Sequence, residues 1–211
     1  MHPADILFSD SNAPRSLSPV EHYAGNERFI DKALTKQTEL NGVIDVTLDL
    51  EDGASVGQES AQAQLFGEIL ASERNRFGRI GVRVHDPENA HFQSDVMQVL
   101  QSGQRAPAYW MVPKLTGLTQ AKHAVAIISA AHELHHIPLA PIHMLIETHG
   151  ALHEVYEIAA LPQVESLSFG LMDFVSAHHG SIPAGAMTSP GQFDHPMVAY
   201  AKLAISRACA A

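Results

Sequence analysis

The chain has 211 residues, with 13 Lys and Arg against 23 Asp and Glu, for a formal net charge of -10. No basic stripe is available to neutralise phosphates, which argues against a nucleic-acid partner, and a composition that is 45% hydrophobic and 17% charged describes a globular chain long enough for one domain with a substantial core. The single Cys209 allows no disulfide within one chain, no apolar run approaches the roughly 20 residues that span a bilayer, and the first residues lack a signal-peptide core, so a cytoplasmic protein without a membrane partner is expected.

In chain order, residues 1–19 are rich in Ser, Asn, Asp and Pro and read as an N-terminal arm, in which 6–8 could add an edge strand. A first strand is expected at 20–24. A helix over 25–40 follows, with Asn26 as N-cap and Phe29, Ile30, Ala33 and Leu34 on one side. Short runs rich in β-branched or large apolar residues at 43–48, 80–84, 109–112, 142–146 and 164–169 read as buried parallel strands. Between and after them, helical spacing covers 61–72, 92–101, 119–133, 152–160 and 195–208. This alternation predicts a parallel sheet covered by helices, in one domain over 20–211.

The strand-like runs lead into charges: Asp49, Glu51 and Asp52, then Arg83, Lys114, Glu147 and Asp173. The steps from Asp52 are 31, 31, 33 and 26 residues, about one βα unit and its return each time. In parallel α/β folds ligands sit at the carboxyl ends of the strands, where these charges fall. Arg is unusual in an apolar strand, so Arg83 is expected to grip a substrate carboxylate with two parallel hydrogen bonds, or else to pair with a neighbouring acid. Asp52 and Gly53 also suit a turn, while Lys114 suits a substrate contact, a salt bridge or a Schiff base. His149 is a further candidate substrate contact. No G-x-G-x-x-G or P-loop string points to a nicotinamide or triphosphate site.

Residues 132–136 spell His-Glu-Leu-His-His, the H-E-x-x-H pattern of zinc peptidases, with Glu154 or Glu157 downstream. The pattern closes a helix instead of lying within one, and Pro138 follows at once. Histidines at a helix C-terminus are favoured by the helix dipole, so a structural role is expected.

Five strings in register, Asp-Leu-Glu-Asp-Gly at 49–53, Val-Arg-Val at 82–84, Val-Pro-Lys at 112–114, Leu-Ile-Glu-Thr at 145–148 and Ser-Phe-Gly-Leu-Met-Asp-Phe at 168–174, resemble the HpcH/HpaI aldolase and citrate lyase beta-subunit family. The resemblance implies a TIM barrel of the phosphoenolpyruvate/pyruvate type that binds Mg²⁺, or Mn²⁺, through Glu147 and Asp173. It implies that Glu51 and Asp52 orient the site as an acidic pair and that Arg83 holds the substrate. A barrel of eight strands takes about 250 residues, so the expected fold is a TIM barrel lacking its last two βα units. The implied activity is a Mg²⁺-dependent carbon-carbon lyase acting through an enolate on a 3-hydroxyacyl-CoA such as citryl-CoA or malyl-CoA. Two alternatives stand beside it: a class II pyruvate-type aldolase on a free 2-oxo-4-hydroxy acid, and a non-catalytic relative that binds a metal and a dicarboxylate. A homotrimer or homohexamer is the assembly the resemblance implies.

Overall fold

The computed structural model describes residues 18–52 and 57–210. The expected arm, with its edge strand at 6–8, falls outside the described residues up to position 17, as does Gly53. From Ser18 the chain is tied to the sheet, because the Ser18 hydroxyl donates to the Val43 carbonyl (2.9 Å) and accepts from the Asp45 N–H (3.0 Å).

Six strands, β1 (Glu21–Ala24), β2 (Asp45–Asp49), β3 (Ile80–Arg83), β4 (Trp110–Val112), β5 (Ile142–Ile146) and β6 (Val164–Phe169), lie in chain order, and every neighbouring pair is parallel. They form a curled half-barrel. Residues from both terminal strands, Tyr23 on β1 and Ser168 on β6, line one cleft. Parallel strands need long crossovers, and helices supply them: α1 (Glu27–Glu39), α2 (Glu59–Ala71), α3 (Phe92–Gly103) and α4 (Leu118–Leu134). Asn26 caps α1 as its side-chain oxygen accepts from the Phe29 N–H (3.0 Å). Along each strand the side chains alternate. Val46 and Leu48 join the core under the helices with Phe66, Leu70 and Trp110, while Thr47 bonds the Tyr109 hydroxyl (2.7 Å).

The helix expected at 152–160 is two short helices instead, α5 (His149–His153) and α6 (Val155–Ala159). Thr148 starts the first early by accepting from the Ala151 N–H (3.2 Å). Glu154, at the break, is drawn sideways to accept from the Leu118 N–H at the start of α4 (2.7 Å). Only glycine fits at 150, since a Cβ there would strike the Thr116 carbonyl. Two helices in 171–194 had no counterpart in the sequence reading: α7 (Leu171–Ser176) and α8 (Gly191–Asp194), with a 3₁₀ turn (Ala184–Met187) between them. The last helix, α9 (Pro196–Ala208), begins with its proline in the first turn. No helix among the described residues is long and apolar enough to cross a membrane.

The H-E-x-x-H string has a packing role. His132, 2% exposed, accepts at Nε2 from the Trp110 indole N–H (2.7 Å), and its Nδ1 meets the Ile137 carbonyl (3.3 Å). His136 lies beyond the end of α4 with φ +55°, so the two histidines do not share a helical face. Trp110→Phe would leave the buried His132 acceptor unpaired and shrink a filled site. It is expected to cost about 1–3 kcal/mol in urea unfolding, and an unchanged midpoint would contradict this role.

Candidate active site

Strand register builds the centre of the site. In the β2–β3 pairing Asp49 sits opposite Arg83. Both lie at strand ends, and the guanidinium closes a fork on the carboxylate: Nε donates to Asp49 Oδ1 and Nη2 to Oδ2, each at 2.7 Å. The turn after β2 adds Glu51, 2.8 Å from Nη1, and Asp52, 3.2 Å from Nη2. The Tyr23 ring lies 5.0 Å from the guanidinium carbon. Asp49 and Glu51 are buried, whereas the Asp52 side chain is 64% exposed.

Pro113 and Lys114 follow β4. Lys114 takes a left-handed backbone (φ +52°) that turns its N–H onto Glu147 Oε1 (2.6 Å), and its ammonium pairs with Glu51. Glu147, directly after β5, is 2% exposed. Its other oxygen rests against Gly170, where a Cβ would collide with the carboxylate. Asp173 lies in the first turn of α7, half-buried, and lines the same cleft as Glu147, Arg83 and Asp52. The cleft encloses about 620 Å³.

Five carboxylates, Asp49, Glu51, Asp52, Glu147 and Asp173, therefore gather around two cations, Arg83 and Lys114. Burial pushes Glu147 up to about 7, and the charges of Asp173 and Glu51 add to the effect against the Lys114 N–H. Burial also raises Glu51, against the pull of Lys114 and Arg83. For both cations burial opposes the charge, but the surrounding carboxylates outweigh it and hold them protonated. The ion pair with Glu51 is the salt bridge that the sequence allowed for Lys114.

The donor set suits a hard divalent cation. Mg²⁺ takes one or two carboxylates, keeps waters and leaves places for substrate oxygens. Glu147 and Asp173 supply oxygen only, in a pocket with excess negative charge, and Gly170 keeps room beside the Glu147 oxygen. No group of three or more His, Cys, Asp or Glu arranged to hold a metal occurs among the described residues. A two-carboxylate site completed by water and substrate is the arrangement that fits.

The fold thus brings Glu51, Asp52, Arg83, Lys114, Glu147 and Asp173 to one end of the sheet. His149 is turned elsewhere. Its ring packs against His178 and Phe174, outside the lining of the cleft. Asp49 is the fork partner of Arg83, and pairing register was the signal needed to find it.

A sequence model of the HpcH/HpaI aldolase/citrate lyase family matches residues 30–210. A citrate lyase from Burkholderia xenovorans is 52% identical, with a TM-score of 0.90 over 93% of this chain. The chain spans only 62% of that protein's length. The citrate lyase beta subunit of Mycobacterium tuberculosis, complexed with oxaloacetate and magnesium, superposes with a TM-score of 0.67 at 20% identity, over 92% of this chain and 75% of that one. A second M. tuberculosis structure, in complex with magnesium and acetate, gives 0.64 at 19% identity over 90% and 68%. At such identities the likeness is one of fold. No curated protein matches significantly.

Proposed function

Because the chain belongs to the HpcH/HpaI aldolase/citrate lyase family, we propose that it serves a Mg²⁺-dependent carbon-carbon lyase acting on a 3-hydroxyacyl-CoA such as citryl-CoA or malyl-CoA. The observation that carries this reading is Glu147, a buried carboxylate that lines, with Asp173 and Arg83, one acid-rich cleft. Mn²⁺ satisfies the same oxygen donors. Magnesium in the M. tuberculosis complexes supports the choice of metal.

Cleavage of a 3-hydroxyacyl group passes the hydroxyl proton to a base, turns the hydroxyl carbon into a carbonyl as the carbon-carbon bond breaks, and leaves that bond's electron pair as an enolate that is then protonated. Glu147 and Asp173 would hold the cation, whose Lewis acidity supplies charge stabilisation for that enolate. Arg83 positions the substrate. Asp49 fixes the plane of its guanidinium, and the exposed Asp52 is the partner a substrate carboxylate can displace from Nη2. Glu51 sits between Arg83 and Lys114 and holds both cations in place while shielding them from each other.

The test is calorimetric titration of Mg²⁺ together with oxalate, an enolate mimic, into the wild-type chain and its Asp173→Asn variant. Mutually dependent binding of the two is expected, and the substitution is expected to abolish it. At a hundredfold excess over Kd the pair should add about 2.7 kcal/mol to unfolding stability. A folded wild-type chain that binds neither would refute the proposal. Citryl-CoA, malyl-CoA and a 2-oxo-4-hydroxy acid, assayed in parallel, separate the thioester lyase from the pyruvate-type aldolase, and metal binding without turnover of any of them marks the non-catalytic relative.

A further inference from the structure

One aromatic ring in the cleft has no part in the proposed chemistry, yet it touches the residue that anchors the substrate. Tyr23 lies on β1 and pairs with Thr47 of β2, which pairs in turn with Gly81 of β3. Arg83 is two residues further along β3, so Tyr23 starts one pleat below the guanidinium, on its amino-end side. The ring then meets the cation: the Arg83 guanidinium carbon lies over it, 5.0 Å from the centroid. The hydroxyl reaches across the concave face to β4 and donates to the sulfur of Met111 (2.9 Å), the residue that pairs with Arg83 in the β3–β4 register.

The ring is held at its far end, because Met111 is fully buried. Beside it, the space over Gly81, which has no side chain, is taken by the Tyr109 ring, whose hydroxyl bonds Thr47 (2.7 Å). Two tyrosines thus occupy the level below Arg83. Tyr23 remains 38% exposed and lines the same cleft as Arg83, Glu147 and Asp173, so its ring is open to a bound molecule. Asp49 grips the guanidinium by one edge, through Nε and Nη2. That fork leaves tilting into the cleft unopposed, and the ring opposes it. A cation over an aromatic face is drawn to it, and a ring that keeps water from that side strengthens carboxylate pairing on the remaining Nη edge.

We propose that Tyr23 is a positioning and specificity-determining residue: its ring backs the Arg83 guanidinium and closes the cleft beneath it, so that this end of the site takes a short carboxylate head group. The proposal rests on the reading of Arg83 as the substrate anchor. A carboxylate held on the Nη edge meets the two tyrosines below and extends only toward Glu147 and Asp173.

The test is calorimetric titration of oxalate, and of malonate with one more carbon, into the Mg²⁺-saturated wild type, Tyr23→Phe and Tyr23→Leu. Tyr23→Leu should weaken oxalate roughly 3–30-fold, the range of a lost cation–π contact, and shift the preference toward malonate. Tyr23→Phe keeps the ring and should restore both to wild-type values, and Mg²⁺ alone should bind all three equally. Phenylglyoxal labelling of Arg83, read by peptide mass, needs no ligand: it should run about threefold faster or more in Tyr23→Leu than in wild type or Tyr23→Phe. If Tyr23→Leu does not fold, Tyr23→Met replaces it in both experiments. A wild type that binds no oxalate refutes the proposed lyase function, and the labelling then decides on Tyr23 by itself. Oxalate affinity within about twofold of wild type in Tyr23→Leu, a Tyr23→Phe as weak as Tyr23→Leu, or equal labelling rates overturns the proposal.

Discussion

Glu147→Gln is expected to make the metal-free chain more stable at pH 8 while abolishing its response to Mg²⁺. The Glu147 carboxyl, ordinarily at 4.5, is pushed up to about 7 in the folded chain, chiefly by burial. Between those values the folded state binds more protons than the unfolded state, so stability falls as pH rises, and above pH 7 the whole penalty applies. That interval is worth roughly 3 kcal/mol. Glutamine removes the charge and keeps an oxygen for the Lys114 N–H. The variant should therefore exceed the wild type by about this amount at pH 8 and match it near pH 4.5.

His143 carries the opposite sign. Buried on β5 between the hydroxyls of Ser166 (2.8 Å) and Ser168 (2.9 Å), it is lowered from 6.5 to about 4 by desolvation. The unfolded chain binds its proton more readily over that window, so the contribution of His143 is full above pH 6.5 and is lost as pH falls toward 4. In the wild type the two slopes oppose each other between pH 4.5 and 6.5. In Glu147→Gln the opposing Glu147 slope is gone, so urea stability should climb more steeply from pH 4 to 6.5 than it does in the wild type. Urea unfolding at several pH values, with and without Mg²⁺, checks both halves. A variant no more stable than wild type at pH 8 would show that Glu147 is not a carboxylate held ionised against its surroundings for a metal.

Arg83→Met is expected to destabilise the chain by about 3–5 kcal/mol, because it strands the buried carboxylate of Asp49 without its cation and leaves Glu51 with Lys114 alone. Most of that cost is the uncompensated charge, so adding Asp49→Asn should recover part of it, with a coupling energy of about 1–3 kcal/mol in the double-mutant cycle. The exposed Asp52 should contribute little: Asp52→Asn is expected to shift stability by no more than about 1 kcal/mol. If Arg83→Met costs under about 1 kcal/mol and only weakens oxalate binding, Arg83 is a substrate ligand free of the structural pairing. Additive single variants would likewise rule out the Asp49 fork as the source of the loss.

Much of the fold was legible because buried parallel strands are short apolar runs and the helices between them bury one face. The runs at 43–48 and 142–146 appear as Asp45–Asp49 and Ile142–Ile146, and the helix expected at 119–133 as Leu118–Leu134. The split at Glu154 was not legible, since its cause is a carboxylate bound to the start of a helix 36 residues earlier. Nor was the role of His132, whose Nε2 accepts from Trp110 across the core.

The same division holds for the site. Charges at the ends of successive strands must converge once the strands are parallel and in chain order, so the sequence alone determined that Glu51, Asp52, Arg83, Lys114, Glu147 and Asp173 share one end of the sheet. Their partners came from tertiary structure. Register set Asp49 rather than Asp52 into the guanidinium fork, a left-handed turn aimed the Lys114 N–H at Glu147, and the missing Cβ of Gly170 made room for that carboxylate. Periodicity encodes which face a side chain takes, a property of neighbours along the chain. Which atom it meets, and how far burial shifts its proton, depends on segments brought together from distant positions, and no local pattern carries that information.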